Sequence, residues 1–207
     1  MRKAVFHVAA GVVVLALVVG LASAQGPVGA ADRAGFDFGG APEFDRPPLG
    51  RNDAEKQALA VLEQMGKGPW YLNVTRREGR VLRQLTEALG AKRVVEIGTS
   101  SGYSTIWLAM AVRSTGGKVI THEIDPAKVK IASANFKQAG VDDLITIVEG
   151  DAHETIKQIK EPIDVVFLDA EKKGYVDYIE KLLPLVRPGG LIFGHDMHRP
   201  MPDPRYL

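Results

Sequence analysis

From residue 92 onward, short apolar runs alternate with stretches of helical periodicity, and this alternation restricts the fold more than any other feature of the chain. "RVVEIG" is followed by a helix over 102–113, and "KVITHEI" by "DPAKVKIASANFKQAG". "LITIVEG" leads into the short helix "HETIKQI", "IDVVFLDA" into "YVDYIEKLLPLV", and "GGLIFGHD" closes the series. Strands that are apolar on both sides are covered on both faces, the habit of a parallel sheet. Five such steps with right-handed crossovers predict a doubly wound α/β sheet. Two helices precede it. Asn52 or Asp53 can cap "NDAEKQALAVLEQMGK", whose Leu59, Leu62 and Met65 share one side. "REGRVLRQLTEAL" buries Val81, Leu82, Leu85 and Leu89 and ends at Gly90. The folded domain is expected over 52–207.

The remaining sequence reads differently. "MRK", an apolar stretch from Ala4 to Gly20, and Ala22-Ser23-Ala24 have the order of an export signal over 1–24, cleaved after Ala24. The competing reading is an uncleaved membrane anchor, because the stretch approaches the roughly 20 residues that span a bilayer. The protein is therefore expected to be exported if the signal is cut, without stable membrane association, and anchored if it is not. Residues 25–51, rich in Gly and Pro and without a period, are expected to be a flexible lead. A net charge of +1 offers no electrostatic reason for a nucleic-acid partner. The absence of cysteine excludes disulfides, thiolate zinc sites and thiol nucleophiles.

The first strand of the series runs into "VVEIGTSSGYST", residues 94–105. In a doubly wound sheet, ligands lie beyond the carboxyl ends of the strands, where Gly98 and Gly102 allow a tight turn and a close backbone approach. Glu123, at the end of the second strand, is placed to accept hydrogen bonds from both hydroxyls of a ribose. Together these predict an adenosine-containing cofactor. The pattern Glu96-x-Gly98-x-x-x-Gly102 lacks the G-x-G-x-x-G spacing that suits a pyrophosphate. An acid at Glu96 repels phosphate and favours a cation, so S-adenosylmethionine fits better than NAD. A turn serving packing alone is the alternative.

Taken in order, "LNVTRREGRVL", "VVEIGTSSGYST", "VITHEIDPAK", "VVFLDAEKKGY" and "PGGLIFGHD" resemble the cation-dependent O-methyltransferases, the group of catechol and caffeoyl-CoA O-methyltransferases. The resemblance implies a Rossmann-like methyltransferase fold and cofactor contacts at Asn73, Val74, Glu96, Gly98, Ser104 and Glu123, with Asp151 and Ala152 near the adenine. Asp169 matches a metal-binding aspartate and is counted with the cofactor set as well. Lys172 matches the base that takes the acceptor's proton, and Trp70 falls at an aromatic gate. The family's final Asp-Asn metal pair is replaced by His195 and Asp196. Asp169, His195 and Asp196 are the implied metal ligands, and a nitrogen donor would shift preference from Mg toward Mn, Fe, Co or Zn. The alternative is weak or absent metal binding, with His195 acting as a base. Where catechol enzymes carry an aromatic, this chain has Glu171, which removes one wall of the acceptor slot. His122 and His153 are assigned structural or solvent-facing places, and His198 at most an auxiliary one.

The implied activity is methyl transfer to a hydroxyl of a small phenolic or catecholic acceptor with metal assistance, by a chain that can form homodimers. The alternatives are a non-catalytic cofactor-binding remnant and an NAD(P)-binding oxidoreductase. The family also implies a further helix and antiparallel hairpin after the fifth strand. The sheet is expected to lack these last two strands and to leave the fifth strand as a free edge.

Overall fold

The computed structural model describes residues 13–16, 46–69 and 71–196. Six parallel strands form one sheet: β1 Val13–Ala16, β2 Arg93–Ile97, β3 Lys118–Glu123, β4 Ile145–Glu149, β5 Ile163–Leu168 and β6 Val186–Gly194. Their spatial order is β1-β6-β5-β2-β3-β4, which reverses direction at β2 as a doubly wound sheet requires. The helices are α1 Asp53–Lys67, α2 Arg76–Ala88, α3 Tyr103–Val112, α4 Pro126–Ala139, α5 Ala152–Thr155 and α6 Tyr175–Leu182.

Successive side chains of a strand face opposite ways. Val94 therefore packs with Trp107, Ile106 and Phe136 beneath α1–α4, whereas Val95 packs with Tyr175, Tyr178 and Leu182 beneath α6. Val165 and Phe167 of β5 join the first layer, and Val166 and Leu168 the second. α3 is buried along its whole length, as expected of a helix apolar on every side and enclosed by α1, α2, α4 and the sheet.

Local chemistry fixes the helix starts. The Asn52 side chain accepts from Glu55 N at 2.9 Å, and Asp125 caps α4, with Pro126 in its first turn. Thr75 and Glu78 make a reciprocal capping box at the start of α2.

The expected free edge is not free. β1 lies on β6 with Val13 opposite Leu191 and Ala16 opposite Gly194, so a short stretch of the expected export signal is a sheet strand. The rest of that signal, its cleavage site and residues 25–45 lie outside the described residues. Among those described, no helix is long and apolar enough to cross a membrane.

Candidate active site

Backbone hydrogen bonds carry the strand pairing one step past the carboxyl ends of the sheet. Gly98 N donates to His122 O at 3.0 Å, Gly150 N to Glu123 O at 2.8 Å, and both Asp169 N to Ile97 O and His195 N to Leu168 O at 2.9 Å. Gly98, Glu123, Gly150, Asp169 and His195 are thereby set along one rim. Above that rim opens a cavity of about 680 Å³. Its walls are Gly98 and Ser100 after β2, Glu123 and Ile124 after β3, residues 150–153 after β4, 169–172 after β5, and Asp196. Tyr71 and Leu72 close the side nearest α2, and Lys128 of α4 faces in beside Ile124.

Of the expected cofactor residues, Gly98, Glu123, Asp151, Ala152 and Asp169 lie on this cavity. Glu123 is held rigidly: its carboxylate accepts from Ser100 N at 2.7 Å and from Ile124 N and Asp125 N at 3.0 Å each. Asp151 lines the wall while its side chain caps α5 through His153 N at 2.9 Å.

The other four are placed differently. Asn73 lines a smaller neighbouring cavity and accepts from Ser101 Oγ at 2.8 Å. Val74 is packed in the core. Glu96 is fully buried and turned away from the cavity, because alternation along β2 points it, like Val94, toward α3. There it accepts from Ser104 Oγ at 2.6 Å, Thr105 Oγ1 at 2.5 Å and Thr121 Oγ1 at 2.7 Å. Glu96 and Ser104 therefore support the turn from beneath and do not line the cavity. Gly102 is a second correction. Its φ is 87°, and an added Cβ would lie 2.8 Å from Phe136 Cζ, so the residue is small in order to pack against α4. Trp70 and His198 lie outside the described residues.

Burial raises the Glu96 pKa to about 7, against the pull of its three hydroxyl donors. The unfolded chain releases this proton near 4.5, the ordinary value for a glutamate, the folded chain near 7, so the folded state holds more protons in between. Stability from this group accordingly falls as pH rises from 4.5 to 7 and levels off above, a loss of up to about 3 kcal/mol. Glu96→Gln removes the titration. Urea unfolding at pH 5 to 8 is expected to show a flatter stability profile for the variant; parallel profiles would refute the assignment.

At the β5–β6 end of the cavity, Lys172 Nζ donates to Tyr175 Oη at 2.7 Å and stands 4.7 Å from the centre of its ring. Tyr175 Oη in turn faces the carbonyls of Leu168 at 2.8 Å and His195 at 3.2 Å. Lys172 Nζ is 3.6 Å from Asp169 Oδ1. His195 Nδ1 bonds the same oxygen at 3.0 Å, and its Nε2 is 3.4 Å from Glu78 Oε1. Burial disfavours a charged His195, but hydrogen bonding to Asp169 and Glu78 outweighs it and raises the pKa to about 10.

This donor set does not fit a divalent cation. Both nitrogens of the His195 ring already face carboxylates. Asp169 Oδ1 meets two nitrogen-bearing side chains, Lys172 and His195, where a metal would have to stand. Among the described residues, no group of three His, Cys, Asp or Glu side chains converges as metal ligands. The expected set of Asp169, His195 and Asp196 is corrected on that ground.

Two further expectations change. Glu171 leaves no gap, since it accepts from Tyr178 Oη at 2.5 Å and lies 3.2 Å from His153 Nε2. His153 and Tyr178 stack at 4.6 Å and both line the cavity, so His153 belongs to the wall. His122 is buried, with Nδ1 2.8 Å from Thr155 Oγ1, and burial lowers its pKa to about 4. Tyr175 and Glu78 were missed from sequence. The first stands three residues after Lys172 and was legible; the second is visible there only as a helix cap.

The O-methyltransferase family model matches residues 53–197. The catechol O-methyltransferase of Niastella koreensis is 36% identical over 132 residues, which cover 62% of this chain and 59% of that protein. That of Mycobacterium tuberculosis is 41% identical over 122 residues, covering 58% and 54%. The chain thus spans little more than half the length of these curated relatives. An O-methyltransferase from Bacillus cereus, solved in complex with SAH, matches with a TM-score of 0.61 at 32% identity and covers 76% of each chain. A cavity at the carboxyl rim of a doubly wound sheet, a carboxylate at the end of β3 and a lysine after β5 agree with this likeness, and the chain belongs to the O-methyltransferase family.

Proposed function

We propose that the cavity binds S-adenosylmethionine and that the chain transfers its methyl group to a hydroxyl of a small phenolic acceptor. The observation that carries this reading is Glu123: a carboxylate at the end of β3, facing the cavity, and oriented by three backbone N–H groups. Those three bonds leave one of the carboxylate's four lone-pair positions, on Oε2, for a ribose hydroxyl. The turn after β2 has no pyrophosphate spacing, which argues against NAD(P). The names of the relatives and the SAH of the Bacillus structure support the same choice.

Methyl transfer is an in-line displacement that depends on holding the acceptor oxygen against the methyl carbon. As the oxygen–carbon bond forms, the sulfur–carbon bond breaks and its electron pair stays on sulfur. The hydroxyl proton passes to the Lys172 amine, which Tyr175 and Asp169 fix at the β5 end of the cavity.

Calorimetry with adenosylmethionine, its demethylated product and NAD tests the cofactor; a preference for NAD would overturn the reading. Glu123→Ala removes the ribose bond and is expected to weaken adenosylmethionine binding by about 10- to 100-fold. Affinity equal to wild type would remove Glu123 from the site. Methyl transfer across a panel of phenols and catechols tests the reaction itself, and binding without turnover would mark a cofactor-binding remnant.

A further inference from the structure

We propose that the acceptor end of this site holds no divalent cation, and that His195, clasped between Asp169 and Glu78, fills the place where one would sit. The proposal rests on the transferase reading above for its chemistry, but on geometry alone for the vacancy of metal. Nδ1 and Nε2 lie on opposite sides of the imidazole ring, so Asp169 at 3.0 Å and Glu78 at 3.4 Å are held apart by it and cannot share an ion. Glu78 is not at liberty to move. Its Oε2 accepts from Thr75 N at 2.6 Å in the capping box of α2, and its buried Oε1 faces His195 Nε2 at 3.4 Å. Withdrawing the imidazole to admit a metal would strand that buried carboxylate, a strongly unfavourable arrangement.

Asp169 is bound on the other side as well. Lys172 approaches the same Oδ1 at 3.6 Å, so a dication would have to displace two side chains from one carboxylate. Among the described residues, Asp196, on the cavity wall, does not converge with Asp169 and His195 as a group of metal ligands. His195 and Glu78 are thus positioning residues. They join α2, β5 and β6 at the rim and hold Asp169, which in turn helps to set Lys172.

This arrangement changes the acceptor class. A chelated cation selects two neighbouring hydroxyls, because both oxygens bind it. With Lys172 alone receiving the proton, one hydroxyl suffices. The chain is expected to methylate monohydric phenols as well as catechols, with kcat/KM values within about tenfold of each other.

The decisive measurement is a titration of the full chain with Mn²⁺, following free ion by electron paramagnetic resonance, without cofactor or acceptor. No saturable uptake below about 1 mM is expected. A stoichiometric site tighter than that overturns the proposal, whether or not any acceptor is ever found. His195→Asp replaces the clasp with a carboxylate and is expected to bind Mn²⁺ at least about tenfold more tightly than wild type; equal uptake by a folded variant counts against it. Methyl transfer with a chelator and with Mg²⁺ is expected to agree within about twofold. A loss on chelation that Mg²⁺ or Mn²⁺ restores overturns the proposal. Absence of transfer under every condition defeats the transferase reading instead, and the Mn²⁺ titration still decides the question of the cation.

Discussion

Lys172→Ala is expected to lower turnover by about 10²- to 10⁴-fold, the usual contribution of a positioned general base. Adenosylmethionine affinity should stay within about twofold, since the ribose contacts come from β3 on the far side of the cavity. Lys172 is held from two directions, by the Tyr175 hydroxyl at 2.7 Å and by Asp169 Oδ1 at 3.6 Å, and it lines the cavity. Tyr175→Phe removes the first restraint and leaves the amine. A smaller fall of about tenfold is expected there, because misorientation costs less than loss of the group. Single-turnover rates with saturating cofactor separate chemistry from binding. If the alanine variant transfers methyl at the wild-type rate, the lysine has no part in the reaction.

Gly98→Ala is expected to destabilise the fold by about 2–5 kcal/mol, combining the strain of a left-handed backbone with a clash between main chains. Gly98 has a φ of 102°, and a Cβ there would lie 2.8 Å from the Asp169 carbonyl carbon and closer still to its oxygen. The obstacle is the end of β5, which no rotamer change can clear. Relief would require parting β2 from β5 at the rim, and Asp169 would move with its backbone. Gly116 is the control: its φ is 67°, but a Cβ there meets nothing within 4 Å. Gly116→Ala should cost about 1–2 kcal/mol, from conformation alone. Urea denaturation of both variants distinguishes packing from backbone preference, and equal midpoints would show that the rim tolerates the methyl group.

Much of this architecture was legible in the residues. The alternation of apolar runs and helical periods fixes β2–β6 with their helices, and Glu123, expected at a strand end, lines the cavity there. The orientation of Glu96 was less visible. It sits in the most suggestive motif, yet strand alternation directs it to the hydroxyls of α3, away from the cavity. The Glu78–His195 contact joins α2 to the end of β6 and has no signature in local spacing, so His195 reads from sequence as a ligand when both its ring nitrogens face carboxylates. The pairing of Val13–Ala16 with β6 was not legible for a related reason. An apolar run behind a positive start has the same composition whether it leaves the cell or enters a sheet.

The seam between β1 and β6 sets two fates of one segment against each other. A peptidase that cut after Ala24 would carry off the outermost ladder of the sheet, and the shortened molecule would show a bare row of amides and carbonyls along β6, ready to recruit another strand. A copy that keeps its leader seals that margin from within. Loss of Val13–Ala16 by any route would thus open the β6 side of the seam to pairing with another strand.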